Sequence, residues 1–319
     1  LQRFFDIYII MKIAISSENQ IISVKYIIAE FKELTKFRLA MSVVFSSVAG
    51  YLLGVVDFAW SNWIDVLMLA IGGYCMVGAS NAFNQIIEKD IDLKMDRTKN
   101  RPIPAERISV NTAFLIASIL AVLGLIILYN INPKTAMFGA ISIFLYISVY
   151  TPLKTMTPLS VFVGAFPGAI PFMLGWVAAT GNFGIEAGTL FMVQFFWQFP
   201  HFWSIGWFLY EDYKKAGIFM LPSGKKDKTT AKQIIFYTFW TVLISIIPVV
   251  GYFKTGILGR LYITPISAFI TLFLGVWMLV YAFKLYKKRD AKTARTLMLV
   301  SVSYITLLQI VYVIDKFVR

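Results

Sequence analysis

The sequence predicts an all-α, polytopic membrane protein with nine transmembrane helices. Three observations predict it. The 319 residues are 58% hydrophobic and only 15% charged, with a mean hydropathy of +0.72. A soluble domain of this size cannot hide that much apolar surface. Nine apolar stretches approach the ~20 residues that a spanning helix needs. Most of the 30 Lys and Arg fall in the N-terminal arm and in alternate connections, which sets a cytoplasmic side.

Residues 1–37 read as a cytoplasmic arm and residues 38–319 as the membrane domain. Within the arm, residues 1–25 alternate short apolar runs with charges. Their apolar core, Ile7 to Ile15, is broken by Lys12 and too short to span, so it reads as a surface-lying amphipathic leader. No clear small-residue cleavage site marks it as a signal peptide. The apolar stretches are then 39–56, 64–87, 109–129, 135–152, 158–179, 187–210, 233–252, 261–283 and 296–315. Most links are short; 88–108, 211–232 and 284–295 are longer and charged. The single cysteine, Cys75, lies inside the second stretch, where it reads as a small buried apolar side chain. One cysteine excludes an intrachain disulfide, and one histidine excludes a histidine-cluster zinc site. No Gly-rich phosphate loop of the Walker type is present. The net charge of +13 reflects basic loops rather than nucleic-acid binding.

The second stretch closes in a polar run. Asn84, Glu88, Asp92 and Asp96 recur every four residues and share one helix face, with Asp90 beside them. Stacked carboxylates repel unless a hard divalent cation sits among oxygen ligands. Acids at a membrane interface are costly without such a role, although a solvated helix end with self-paired charges is the plainer reading. Arg97 and Arg101 follow in a loop that Pro102 and Pro104 keep from continuing as helix, and Lys154 is the one basic residue after the fourth stretch. Guanidinium groups suit phosphate oxygens. The set therefore points to a metal–diphosphate site, with Lys99 and Arg107 read as ordinary positive-side anchors. Gly164 and Gly168 read as a close helix-packing pair. The sixth stretch carries Pro200 and the only histidine, His201, about 16 Å along the helix from Asp212 at 1.5 Å per residue. An ionisable group inside a membrane is a functional candidate. The neighbouring Phe195, Phe196, Trp197 and Phe199 read as packing. Glu211 and Asp212 echo the acidic close of the second stretch, a hint of two repeated halves facing one central cavity.

The ordered set is distinctive: Asn84-x-x-x-Glu88-x-Asp90-x-Asp92; Arg97-Thr-Lys-Asn-Arg-Pro102; Tyr150-Thr-Pro-Leu-Lys154; Trp197-Gln-Phe-Pro-His-Phe-Trp203; Asp212-Tyr-Lys-Lys-Ala-Gly217; Met220-Leu-Pro222. It resembles the intramembrane (UbiA-type) prenyltransferase superfamily, and within it the protohaem IX farnesyltransferase (haem O synthase) branch, over about residues 36 to 315. The resemblance implies a helix bundle around a lipid-accessible cavity with its active site at the cytoplasmic side. It implies that Asn84, Glu88 and Asp92, with Asp212 from the later motif, hold Mg²⁺. Arg97, Arg101 and Lys154 then contact the diphosphate of farnesyl diphosphate, and Asn84, Glu88, Asp92, Arg97 and Lys154 form the catalytic set. The co-substrate implied is haem B, alkylated on a vinyl group to give haem O, with His201 as a haem-binding candidate. Tyr146 or Tyr150 offers cation–π support to an allylic cation. Besides the lipid bilayer, haem A synthase or terminal-oxidase assembly factors are the implied partners. Two positions depart from the pattern: Glu88 stands where many members carry Asp, and Phe208 and Leu209 stand where aromatic-substrate branches carry acids.

Two other readings stay open at this stage. One is a prenyltransferase acting on an aromatic quinone precursor. The other is a transporter of an anionic metabolite, which calls for polar pore residues on both sides; the outer loop 180–187 offers little beyond Glu186. A bacterial inner membrane is favoured over a mitochondrial one. Residues 1–38 contain Glu18, Glu30 and Glu33 and only two arginines, unlike an acid-poor transit peptide.

Overall fold

The computed structural model describes residues 24–253 and 261–319. Most of the expected leader lies outside the described residues. Among the described residues every regular element is helical. They run α1 (Val24–Leu34), α2 (Phe37–Gly54), α3 (Asn62–Ile87), a short α4 (Lys89–Asp92), α5 (Val110–Ile131) and α6 (Pro133–Phe144). A π-helical turn (Leu145–Tyr150) leads into α7 (Thr151–Leu153). Then follow α8 (Ser160–Thr180), α9 (Ile185–Phe208), α10 (Tyr210–Lys215), α11 (Lys228–Ile246), α12 (Val249–Phe253), α13 (Pro265–Lys288) and α14 (Ala291–Val318).

Eight of the described helical segments are long and apolar enough to cross a membrane, so this is a multi-pass membrane protein. The ninth expected span is α9. It has a comparable 24 residues, but Gln194, Gln198 and His201 make it more polar. It packs against α8, α11 and α14, where such groups meet protein rather than lipid.

Several boundaries differ from the sequence reading. The last helix starts at Ala291 rather than near 296, and α13 runs to Lys288, so the charged link expected over 284–295 shrinks to Arg289 and Asp290. Hydropathy discounts the charged first and last turns of a helix, whereas local hydrogen bonds extend it. Asp290 accepts from the Thr293 N–H at 2.6 Å as an N-cap. The expected start at 261 moves to Pro265, because Thr264 caps the helix and proline suits its first position. Ser109, Asn132 and Asp227 cap α5, α6 and α11 in the same way.

The helices form a ring in which α2, α3, α5, α6, α8, α9, α11, α13 and α14 each touch the next, and α14 returns to α2. Contacts of α2 with α8 and of α9 with α14 cross the ring. Helices α2 and α8 approach backbone to backbone. A Cβ on Gly175 would run into the Ser47 carbonyl, and one on Gly50 into the Phe172 carbonyl. Several polar side chains inside the bundle are paired between helices. Gln309 bonds Ser46 at 3.1 Å, Tyr304 donates to Ser245 at 2.9 Å, and Tyr312 donates to the Ser245 carbonyl. Cys75 is buried, as a small apolar group should be.

Gly175→Ala is expected to lower the thermal midpoint of the detergent-purified protein, with an overpacking cost of about 1–3 kcal/mol. Gly188→Ala, where an added Cβ meets nothing within 4 Å, serves as the neutral control. Equal midpoints for the two variants would contradict the α2–α8 contact.

Candidate active site

The polar run that closes α3 forms the site. Helix α3 ends because Glu88 leaves helical geometry at φ −94° and ψ 13°, after which α4 restarts the chain in a new direction. The bend carries Asn84, Glu88 and Asp92, which are 1%, 5% and 0% exposed. Charges buried to this degree require partners. Arg101 donates through one nitrogen to both carboxylate oxygens of Asp92, at 2.9 and 2.7 Å. Lys154 donates to Glu88 at 2.8 Å. Lys36 donates to the Asn84 side-chain oxygen at 3.2 Å, and the Asn84 amide donates to Thr151 Oγ1 at 3.3 Å.

Each base is set in place by local structure. Lys36 sits in the left-handed region (φ 49°) at the link between α1 and α2. Lys154 follows the π-helical turn, whose extra residue per turn brings Tyr146 and Tyr150 under its ammonium, at 5.9 and 4.5 Å from the ring centres. Gly164 makes room for that arrangement, since a Cβ there would lie 2.6 Å from the Tyr150 ring. The Gly-x-x-x-Gly pair thus has two separate jobs, because Gly168 clears space for the Gln198 amide. Loop 93–108 is held by Thr98, which donates to the Asp92 carbonyl at 2.8 Å. Arg107 bonds Glu30 at 2.8 Å, Glu33 at 3.0 Å and the Asn100 carbonyl at 2.8 Å. Arg107 is therefore a clasp between α1 and the loop, a firmer role than a surface anchor.

The electrostatics follow from this crowding of bases. Burial, and then Arg101 and Lys154, push Lys36 down to about 7. Burial alone lowers the Lys154 ammonium, but Tyr150 and Glu88 outweigh it and hold it above the usual lysine range. Outside this group, Lys99 and Lys215 hold exposed Asp96 down at about 2.

The structure brings Asn84, Glu88, Asp92, Arg101 and Lys154 together. Arg97 is exposed, and its backbone N–H donates to Asp212 at 3.4 Å. Asp212 also accepts from the Asp96 N–H at 3.2 Å, so its carboxylate staples α10 to the loop after α4. Among the described residues no three acids, histidines or cysteines gather as a metal cluster. The oxygen donors nearest one another are the Asn84 amide and the Glu88 and Asp92 carboxylates, now held by cations. Their donor chemistry suits a hard divalent ion. Lys36 is a site residue that the sequence reading passed over. Its signal was that it is one of two bases, with Arg38, just before the first apolar stretch.

A cavity of about 150 Å³ lies beside this group, lined by Gly206, Tyr210, Tyr213, Lys214, Ile218 and Phe219 among others. It joins the site through Phe219, whose N–H donates to the Lys154 carbonyl at 2.8 Å. A second, of about 50 Å³, lies between α2, α3, α6 and α8. The aromatics of α9 do pack as expected: Phe195 and Phe199 are buried against Phe162, and Phe199 lies 4.3 Å from Tyr237. Trp197 instead stacks on His201 at 4.7 Å.

Comparison with known proteins agrees with this architecture. Residues 43–307 match the UbiA prenyltransferase family. A protein named protoheme IX farnesyltransferase from Flavobacterium psychrophilum is 68% identical over 95% of this chain and all of its own length. A solved digeranylgeranylglyceryl phosphate synthase shares the fold at a TM-score of 0.72 and 17% identity, covering 92% of this chain and 99% of its own. A UbiA homolog from Archaeoglobus fulgidus, solved bound to GPP and Mg²⁺, shares it at 0.61 and 17%, covering 89% and 99%.

Removing Arg101 leaves Asp92 as an uncompensated buried charge, a loss of about 3–5 kcal/mol. Arg101→Ala is therefore expected to melt well below the parent protein. Arg101→Ala combined with Asp92→Asn should recover much of that loss in the same assay, and a double variant no more stable than the single one would refute the pairing.

Proposed function

The chain belongs to the UbiA prenyltransferase family, and from that premise we propose that it transfers farnesyl from farnesyl diphosphate to a vinyl group of haem B. One water is consumed as well: it adds to the cation left on the alkylated vinyl group and loses a proton, so the products are haem O and diphosphate. The chain is an enzyme, a prenyltransferase; its substrates are the proposal. The observation that carries the reading is the pair of buried acids beside Asn84 with three bases, Lys36, Arg101 and Lys154, closed over them. The full-length relative supports the choice of substrates.

The chemistry follows from the pairing. In the described geometry Arg101 and Lys154 are committed to Asp92 and Glu88. Those bases are also the groups best placed to bind a diphosphate. With those bases turned to a diphosphate, the Glu88 and Asp92 carboxylates and the Asn84 oxygen would be the groups to hold Mg²⁺. Bound there, Mg²⁺ supplies neutralisation of the charge that builds on the leaving diphosphate. Lys36 adds a third base at the same point, and Arg97 stands exposed at the loop edge for a further phosphate contact. Fixed cations cost no reorganisation as the carbon–oxygen bond breaks, which favours the transition state. Tyr146 and Tyr150 line the Lys154 side and keep water from the allylic cation until the haem vinyl carbon captures it. His201, on the membrane-buried part of α9, is the proposed haem contact. Asp212 acts through the loop it staples, and any metal it ligates would take it from those N–H groups.

We place the N-terminal arm and the basic loops on the cytoplasmic side of a bacterial inner membrane. The haem product implies haem A synthase or terminal-oxidase assembly factors as downstream partners.

Mass analysis of haem after incubation with haem B, farnesyl diphosphate and Mg²⁺ tests the reading. A farnesyl-hydroxyethyl haem should form, should vanish with a chelator and should return with added Mg²⁺. Asp92→Ala should lower turnover by at least about 100-fold. Unchanged haem B with wild-type protein would end the proposal, and full turnover by Asp92→Ala would end the metal assignment.

A further inference from the structure

His201 is the only histidine in the chain, and its surroundings decide which ring nitrogen is free. Its Nδ1 lies 2.9 Å from Ser301 Oγ on α14. Ser301 Oγ also lies 2.7 Å from the Met298 carbonyl oxygen, to which it donates. A hydroxyl has one proton, and a carbonyl can only accept. The Ser301 proton is thus spent on Met298, and Ser301 meets His201 as an acceptor. Nδ1 must carry the hydrogen. In a neutral imidazole the lone pair then sits on Nε2.

The ring is also held against flipping. Trp197 stacks on one face at 4.7 Å and 19°. The Trp197 indole N–H donates to the Ser301 carbonyl at 2.6 Å. One serine, fully buried on α14, therefore anchors both the imidazole and the indole that covers it. A flip would put a carbon against Ser301 Oγ and lose the bond. His201 is itself only half-buried.

We infer that Ser301 is a positioning residue that locks His201 as the Nδ1–H tautomer and so offers the Nε2 lone pair to the iron of the haem substrate. This rests on the haem reading above. A histidine that ligates a metal commonly donates its other N–H to an acceptor that fixes tautomer and orientation. Here the acceptor is in place before any ligand binds.

The test is titration of ferric and ferrous haem B into detergent-purified protein, read by absorbance and electron paramagnetic resonance. The wild type should show a histidine-ligated haem. His201→Gly should lose that signature and regain it when imidazole is added, which also shows that the variant is folded. Ser301→Ala should bind haem about 10-fold more weakly, with a mixed ligation signature. Ser301→Thr keeps the hydroxyl and should restore both. A His201→Gly spectrum identical to wild type would overturn iron ligation. A Ser301→Ala protein indistinguishable from wild type would overturn the positioning role. Conversion of haem B to haem O with no histidine signature would sink this inference alone, whereas no haem binding by wild type would sink the haem reading with it.

Discussion

A carboxylate removed from water must have a cation beside it, and much of this structure follows from that need at Glu88 and Asp92. Both are almost fully buried. Leaving either alone costs several kcal/mol, because the field of a bare charge is poorly screened there. The chain meets the requirement with bases drawn from distant segments. Arg101 comes from a loop that proline keeps non-helical, and Lys154 from the end of a helix widened by a π-turn. At Glu88 the backbone leaves helical geometry, and the acids at and after that point meet those bases. The cost of burying charge thereby selects one arrangement of three segments, and that arrangement is a site whose members are all held before a substrate arrives.

The two halves of the ring share a device. In the first, α3 breaks at Glu88 (φ −94°, ψ 13°) and restarts as α4. In the second, α9 breaks at Leu209 (φ −97°, ψ 17°) and restarts as α10. The backbone matches within a few degrees, although the side chain at the break is an acid in one half and leucine in the other. The weak sequence echo between the halves is therefore better preserved in backbone than in residues. The consequence is chemical. The first break carries a buried acid, whereas the second carries a half-buried leucine and leaves Asp212 to bond the loop of the first half.

How much was legible in the sequence depended on the range of the interaction. The apolar stretches and the Asn84/Glu88/Asp92 face were legible because helix periodicity lies within a few neighbouring residues. The charged turns of α13 and α14 were misjudged, since hydropathy averages cannot see a cap such as Asp290. Lys36 was passed over because its partner Asn84 lies 48 residues away. The Ser301 anchor of His201 lies 100 residues away, and nothing near either residue announces it. The π-turn was equally invisible, as no residue type in Leu145–Tyr150 demands an extra residue per turn. Arg107 read as an anchor by position, and only the packing of α1 reveals it as a clasp.

The second half, though short of acids, still controls the site. Lys215 bonds Asp96 at 2.9 Å beside the Asp212 staple, so α10 fixes the start of the loop that carries Arg101. The Phe219 N–H holds the Lys154 carbonyl, and Ser160 donates to the Phe219 carbonyl at 3.3 Å. The segment after α10 thus fixes Lys154 as well. The Arg101 loop is tied to the second half by the Asp212 carboxylate and the Lys215 ammonium, and Lys154 by a backbone bond to Phe219, which survives substitution of the side chains it joins. A shift of α9 and α10 would therefore move Arg101 and Lys154 together relative to Glu88 and Asp92. The cavity of about 150 Å³ lies along that same seam, lined by residues of α10 and the segment after it.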